Sequence, residues 1–212
     1  MSATSRIATA WQLQSLLLGY PDAEFVANLP LIRRGVAALP APIALPLQRF
    51  IEHLDATPPT DLAVDYVATF DNRKRCCLFL TYYQHGDTRN RGVALLKLKQ
   101  TYKRGAMRLT DSELPDHLAV MLEFAASGDI DFGRSLLGEH RAGVELLRFA
   151  LTDADSPWRW VLESVSATLP ALKGDEHAAV ARLAAEGPPE EQVGLAPFAP
   201  PEYMPQPAGG TR

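Results

Sequence analysis

Apolar residues return at intervals of three and four from the start of the chain: Ile7, Ala10, Trp11, Leu17 and Leu18 share a helical face, with Gln14 its polar exception, until Gly19 and Pro21 stop the run. Asp22 is placed to cap a short helix through Asn28, and Pro30 opens another over 31–39. The pattern repeats over 41–55, with Pro42 and Pro46 assigned to the first turn and Leu47, Phe50, Ile51 and Leu54 facing inward. After Thr57-Pro58-Pro59-Thr60, Asp61 opens a helix on which Leu62, Tyr66, Val67 and Phe70 share a face. Residues 76–84 are almost wholly apolar and predict a short central helix closed by Gly86. Asp87 or Thr88 then caps a long helix to about Arg104, with Ala94, Leu95, Leu98 and Tyr102 inward and its lysines and arginines outward.

Asp111 or Ser112 begins the next helix, which places Asp116 and His117 in its first turn and Leu118, Met121, Leu122 and Ala125 on its buried stripe. One long helix is expected over 131–151, carrying Phe132, Leu136, Leu137, His140, Val144 and Leu147. Ser156-Pro157 starts another, with Trp158, Val161, Leu162, Val165 and Leu169 apolar, and Asp175 starts the last. No stretch alternates with a two-residue period, so the pattern predicts an all-α, single-domain helical bundle over 1–187. Proline then becomes too dense for helix or sheet, and 188–212 is expected to be a flexible Pro-rich tail.

Composition narrows the function. An apolar fraction of 47% in 212 residues excludes general disorder and is enough for one well-buried core. No apolar run approaches the roughly 20 residues of a membrane span and no export leader is visible, so a cytoplasmic protein without direct membrane insertion is expected. Cys76 and Cys77 are adjacent, poorly placed to bridge each other, and are read as reduced thiols. The net charge of -4 hides a segregation: residues 71–108 hold ten Lys/Arg against two Asp/Glu, and 109–212 hold seven against seventeen. The acidic half works against a nucleic-acid partner for the basic one. No phosphate-binding glycine loop, C-x-x-C pair or H-E-x-x-H occurs, and His85, His117 and His140 lie far apart in sequence. Cys77 and His85 would stand two helical turns apart, too far for a nucleophile and its base. No catalytic, metal or cofactor-binding residue is therefore assigned.

Over 65–124 the chain becomes specific. YVATFD, LFLTYYQHGDTRNRG, LKQTYKRG and ELPDHLAVMLEF follow in order, preceded by WQLQSLLLGYPD and followed in the tail by VGLAPF and PPEYM. This series closely resembles the delta subunit of respiratory nitrate reductase, the NarJ-type molybdenum-cofactor assembly chaperones, within a wider all-helical group that includes TorD and DmsD. The resemblance implies a non-enzymatic chaperone that binds the catalytic (alpha) subunit of nitrate reductase before it acquires its cofactor, chiefly through its N-terminal segment. It also implies help in inserting bis-molybdopterin guanine dinucleotide before membrane attachment, with no stable cofactor of its own and no place in the finished enzyme. Cofactor-biosynthesis proteins are further expected partners. The alternatives are a chaperone of another molybdoenzyme, or a helical regulatory or nucleic-acid-binding module.

A client helix needs an aromatic and aliphatic groove with charges at its rim. Tyr66, Phe70, Tyr82 and Tyr83 are the candidate lining, and Asp87, Arg89, Arg91, Asp116 and His117 the candidate polar contacts. His117 is expected to titrate near neutrality.

Overall fold

Ser2 accepts a hydrogen bond from the Ser5 amide and so opens α1 (Ala3–Leu17), the helix about which the others pack. The structure is a computed structural model that describes residues 2–105, 107–110, 113–172 and 174–186. The expected caps Asp111 and Ser112 and the expected tail 188–212 lie outside the described residues. Those described form α-helices with no strand, as the pattern predicts: α2 (Ala23–Ala37), α3 (Ala41–Ala56), α4 (Pro59–Tyr66), α5 (Leu80–His85), α6 (Arg89–Arg104), α7 (Leu118–Ser127), α8 (Ile130–Glu139), α9 (Arg141–Asp153), α10 (Arg159–Thr168) and α11 (Gly174–Glu186).

α1 lies against α7, α10 and α2; α10 also packs on α3 and α9, and α9 on α5, α8 and α11. Trp11 and Gln14 are fully buried, which obliges their polar atoms to find partners. The Trp11 indole donates to Thr168 Oγ1 at 2.9 Å, and the Gln14 amide donates to Ser164 Oγ at 2.8 Å. Ser164 donates in turn to the Ile43 carbonyl, tying three helices together.

Several expectations are corrected. The two helices expected on either side of Pro30 are the single helix α2, capped by Asp22 as foreseen. An interior proline costs about 3 kcal/mol. Burying Phe25, Ile32 and Val36 on the same helix contributes about 1.5–3 kcal/mol each and outweighs it. Pro46 likewise sits in the second turn of α3, beyond the first turn assigned to it.

Residues 76–84 are not one helix. A 3-10 turn (Lys74–Cys76) is followed by extended backbone at Cys77, and Phe79 forms an antiparallel bridge with His117 before α5 begins. The Leu80 amide donates to the Asp116 carbonyl at 2.9 Å and the Leu118 amide to the Leu78 carbonyl at 2.8 Å. A long-range pairing thus overrides local helix formation.

That pairing also moves the start of α7. Asp116 and His117 precede Leu118 and are not in the first turn; His117 is itself the N-cap, its Nδ1 accepting from the Ala119 amide at 3.3 Å.

The single helix expected over 131–151 is two, α8 and α9, meeting at His140. Phe132, expected on the buried stripe, is half exposed on α8, and Val67, expected inward beyond α4, is also exposed. Val67 belongs to a π-helical turn (Val67–Asp71) in which the wider winding still buries Phe70.

Gly86 closes α5 at φ 57° and ψ -154°, its amide donating to the Tyr82 carbonyl at 2.7 Å. A side chain at this angle is strained, so Gly86→Ala should lower the unfolding free energy in urea by about 1–3 kcal/mol. A loss within experimental error would show that the turn relaxes.

Candidate functional site

Tyr66 and Phe70 are brought together, their ring centres 4.8 Å apart, but in the core: both meet Trp158, at 5.7 and 5.4 Å. The Tyr66 hydroxyl donates to the Leu18 carbonyl at 3.0 Å, and burial raises its pKa well above the ordinary phenol value. Tyr83 is buried as well, donating to the carbonyls of Arg75 and Cys77 at 2.8 and 3.0 Å. It holds the extended segment against α5. Tyr82, edge-on to Tyr83 at 6.1 Å, stays half exposed.

The polar candidates form a second group. The Phe79–His117 bridge carries Asp116 over the first turn of α5, where Oδ2 accepts a hydrogen bond from Thr81. Arg91, near the start of α6, reaches the same Oδ2 at 3.4 Å and the exposed Asp87 at 3.0 Å. Its guanidinium stands over the Phe79 ring at 5.6 Å, and His117 meets that ring edge-on at 5.3 Å. Phe79 thus lies between Arg91 and His117, in contact with both, and the buried Asp116 is paired to Arg91. Arg89 lies on the exposed flank of the same helix start.

Asp116 has no exposed surface. Its link to the surface runs through Arg91, whose side chain is 19% exposed. The Asp87–Arg91 contact is an i,i+4 surface pair worth about 0.3–0.5 kcal/mol, so it orients the guanidinium and contributes little stability.

Burial lowers the His117 pKa below its ordinary value, against the opposing charges of Asp116 and Glu113. Accepting the Ala119 amide at Nδ1 requires the neutral tautomer. Burial pushes the Cys77 thiol up to about 11, and its Sγ donates to the Phe79 carbonyl at 3.7 Å. It is a protonated thiol at pH 7 and a weak nucleophile. Among the described residues no group of three or more His, Cys, Asp or Glu could hold a metal ion, and no helix is long and apolar enough to cross a membrane.

Thr81 and Phe79 were missed from sequence. Both lie in LFLTYYQHGDTRNRG, but neither has a chemistry that marks it without its partners, 35 and 38 positions further on.

The all-helical fold is shared with the crystal structure of a protein assigned to redox enzyme maturation in Archaeoglobus fulgidus. The two superpose with a TM-score of 0.56 at 20% identity, covering 78% of this chain and 93% of that one. The sequence pattern of the nitrate reductase delta subunit family matches residues 36–162, and the chain belongs to that family. It is 36% identical over 170 residues to the Bacillus subtilis (strain 168) protein assigned as NarJ, a nitrate reductase molybdenum cofactor assembly chaperone; the match covers 80% of this chain and 92% of that protein. It is 35% identical over 115 residues to the Escherichia coli (strain K12) chaperone of that name, covering 53% of this chain and 49% of that protein. A nitrate reductase-like protein, NarX of Mycobacterium tuberculosis, is 39% identical over 158 residues, but there the match spans 74% of this chain and only 24% of the longer protein.

Proposed function

We propose that this chain is an assembly chaperone for a cytoplasmic nitrate reductase catalytic subunit still lacking its cofactor. It holds the subunit by its N-terminal segment and delays membrane attachment while bis-molybdopterin guanine dinucleotide is inserted. It catalyses no reaction itself, keeps no cofactor and meets cofactor-biosynthesis proteins through its client. The observation that carries this reading is the match along nearly the whole length of a relative named as such a chaperone.

The geometry sorts the candidate contacts. Tyr82, Asp87, Arg89, Arg91 and His117 have surface to offer a client; Asp116 and Tyr83 are buried and support that surface from within, whereas Tyr66 and Phe70 are buried apart from it against Trp158. Arg91 is the pivot, because Asp116 fixes it from below and Asp87 from the side. A client carboxylate or carbonyl exchanging with Asp87 on Arg91 would keep the buried pair intact.

In cells deprived of this chain, nitrate reductase is expected to accumulate largely without molybdenum, as metal analysis of the purified catalytic subunit would read. Supplying the chain restores the metal. Normal molybdenum content without it overturns the proposal. Arg91→Glu places three carboxylates together and should weaken client binding at least tenfold, about 1.4 kcal/mol, in calorimetric titration. Unchanged affinity in a folded variant would move the contact elsewhere.

A further inference from the structure

α6 carries six Lys/Arg and no Asp/Glu in its 16 residues, and packs on α5 and, through Tyr102 against Phe124, on α7. Between α6 and the junction of α8 with α9 lies a groove of about 370 Å³. Val93, Ala94, Leu98 and Leu136 give it an apolar floor, and the Gln84 amide, donating to the Glu139 carbonyl at 3.1 Å, closes one end. Glu139 is the one carboxylate among its lining residues. Val93 and Leu96 are 54% and 62% exposed, and Lys97, Lys99, Lys103 and Arg104 stand exposed along the same helix. From Asn90 to Thr101 the groove runs eleven residues of α-helix, about 16 Å at 1.5 Å per residue.

The chain contains a segment that matches this surface in sign, length and spacing. Residues 187–212 hold Glu190, Glu191 and Glu202 against a single Arg212, and between the acids lie Leu195 and Phe198. A proline-rich strand advances about 3.1 Å per residue with three residues per turn, so 16 Å takes about five residues and brings positions three apart onto one face. Leu195 and Phe198 have that spacing. We infer that the segment around Leu195–Phe198 seats in the groove between α6 and the α8–α9 junction of its own chain, its glutamates along the lysines of α6.

Reach permits it. α11 packs along α9, whose first residue adjoins His140 in the groove wall. Nine residues from Glu186 to Leu195 span about 28 Å when extended, more than the roughly 20 Å length of the 13-residue α9. Tethering supplies an effective concentration on the order of 1 mM, so even an intrinsic Kd of about 100 µM leaves the segment seated roughly nine-tenths of the time.

The test compares backbone amide exchange along α6 in the full chain and in its Leu195→Asp/Phe198→Asp variant. Exchange at Val93–Leu98 is expected to be about tenfold faster in the variant, with far-ultraviolet dichroism unchanged. Adding a synthetic peptide of residues 188–212 should restore protection, and raising the salt should remove it. Identical exchange in the two chains, or no restoration by the peptide, overturns the inference. Protection that disappears on dilution would assign the groove to a second copy. Protection that appears only with the N-terminal peptide of a nitrate reductase catalytic subunit would assign it to a client. Either result contradicts self-docking.

Discussion

Glu145→Leu is expected to lower the unfolding free energy by about 3–5 kcal/mol, because it strips the carboxylate from a buried network and leaves its arginines behind. Glu145 is 2% exposed on α9. Its Oε1 meets Arg141 at 2.9 Å and accepts from Ser166 Oγ at 2.7 Å, while its Oε2 accepts from Arg148 Nε at 2.7 Å. Arg141, equally buried, also donates to the Ser166 carbonyl at 3.2 Å, so the network clamps α9 to α10. For a chain of this size the loss corresponds to a fall in Tm of between about 6 and 20 °C. The double variant Arg141→Leu/Glu145→Leu should recover much of it, since the uncompensated cation is then gone. A single-variant loss below about 1 kcal/mol would show that water reaches the site and screens it.

Stability should fall with acid between about pH 6.5 and pH 4 through His140. This histidine is 8% exposed at the α8–α9 junction, and burial pulls its pKa down to about 4 against the opposing charge of Asp116, with His85 adding to the shift. Between the ordinary value of 6.5 and about 4 the unfolded chain binds a proton that the folded chain refuses. The contribution of this neutral histidine is therefore fully present above pH 6.5, is lost as pH falls, and levels off below about 4. At about 1.4 kcal/mol per unit, the loss is about 3 kcal/mol. His117, lowered in the same direction by burial, adds to it. Urea unfolding of wild type and His140→Gln at pH 7.5 and 4.5 separates this from carboxylate titration, which both share. The wild type should lose about 3 kcal/mol more than the variant across that interval; equal losses would place the proton elsewhere.

The helical class was legible because most stripes, such as Leu47, Phe50, Ile51 and Leu54 on α3, repeat with helical spacing and are buried in the structure. What failed depended on distant partners. Near His140 no proline stands and Leu136, Leu137 and Val144 keep the helical period, so only Gly138 and Gly143, weaker punctuation, mark the break. After the turn α9 presents Gly143 to α5, where an added Cβ would lie 3.3 Å from the Leu80 carbonyl, a contact that depends on a partner distant in sequence. Residues 76–84 were misread for a related reason: an apolar run does not declare whether its backbone pairs with its own turn or with His117 across the fold. The candidate residues were partly legible. Asp87, Arg91, Asp116 and His117 were singled out, but the contacts that join them through Phe79 and Thr81 needed the fold. Tyr66, Phe70 and Tyr83 carry the right chemistry for a groove lining, and Trp158 and the Arg75 and Cys77 carbonyls claim them for the core instead.

The central claim is recognition of a nitrate reductase catalytic subunit through its N-terminal segment, and calorimetric titration of the full chain with that peptide tests it most directly. The account predicts one site with a Kd on the order of micromolar, about 8 kcal/mol, and no binding of a scrambled peptide of the same composition. No heat from the authentic peptide with a folded chain, or equal heat from the scrambled one, would contradict it.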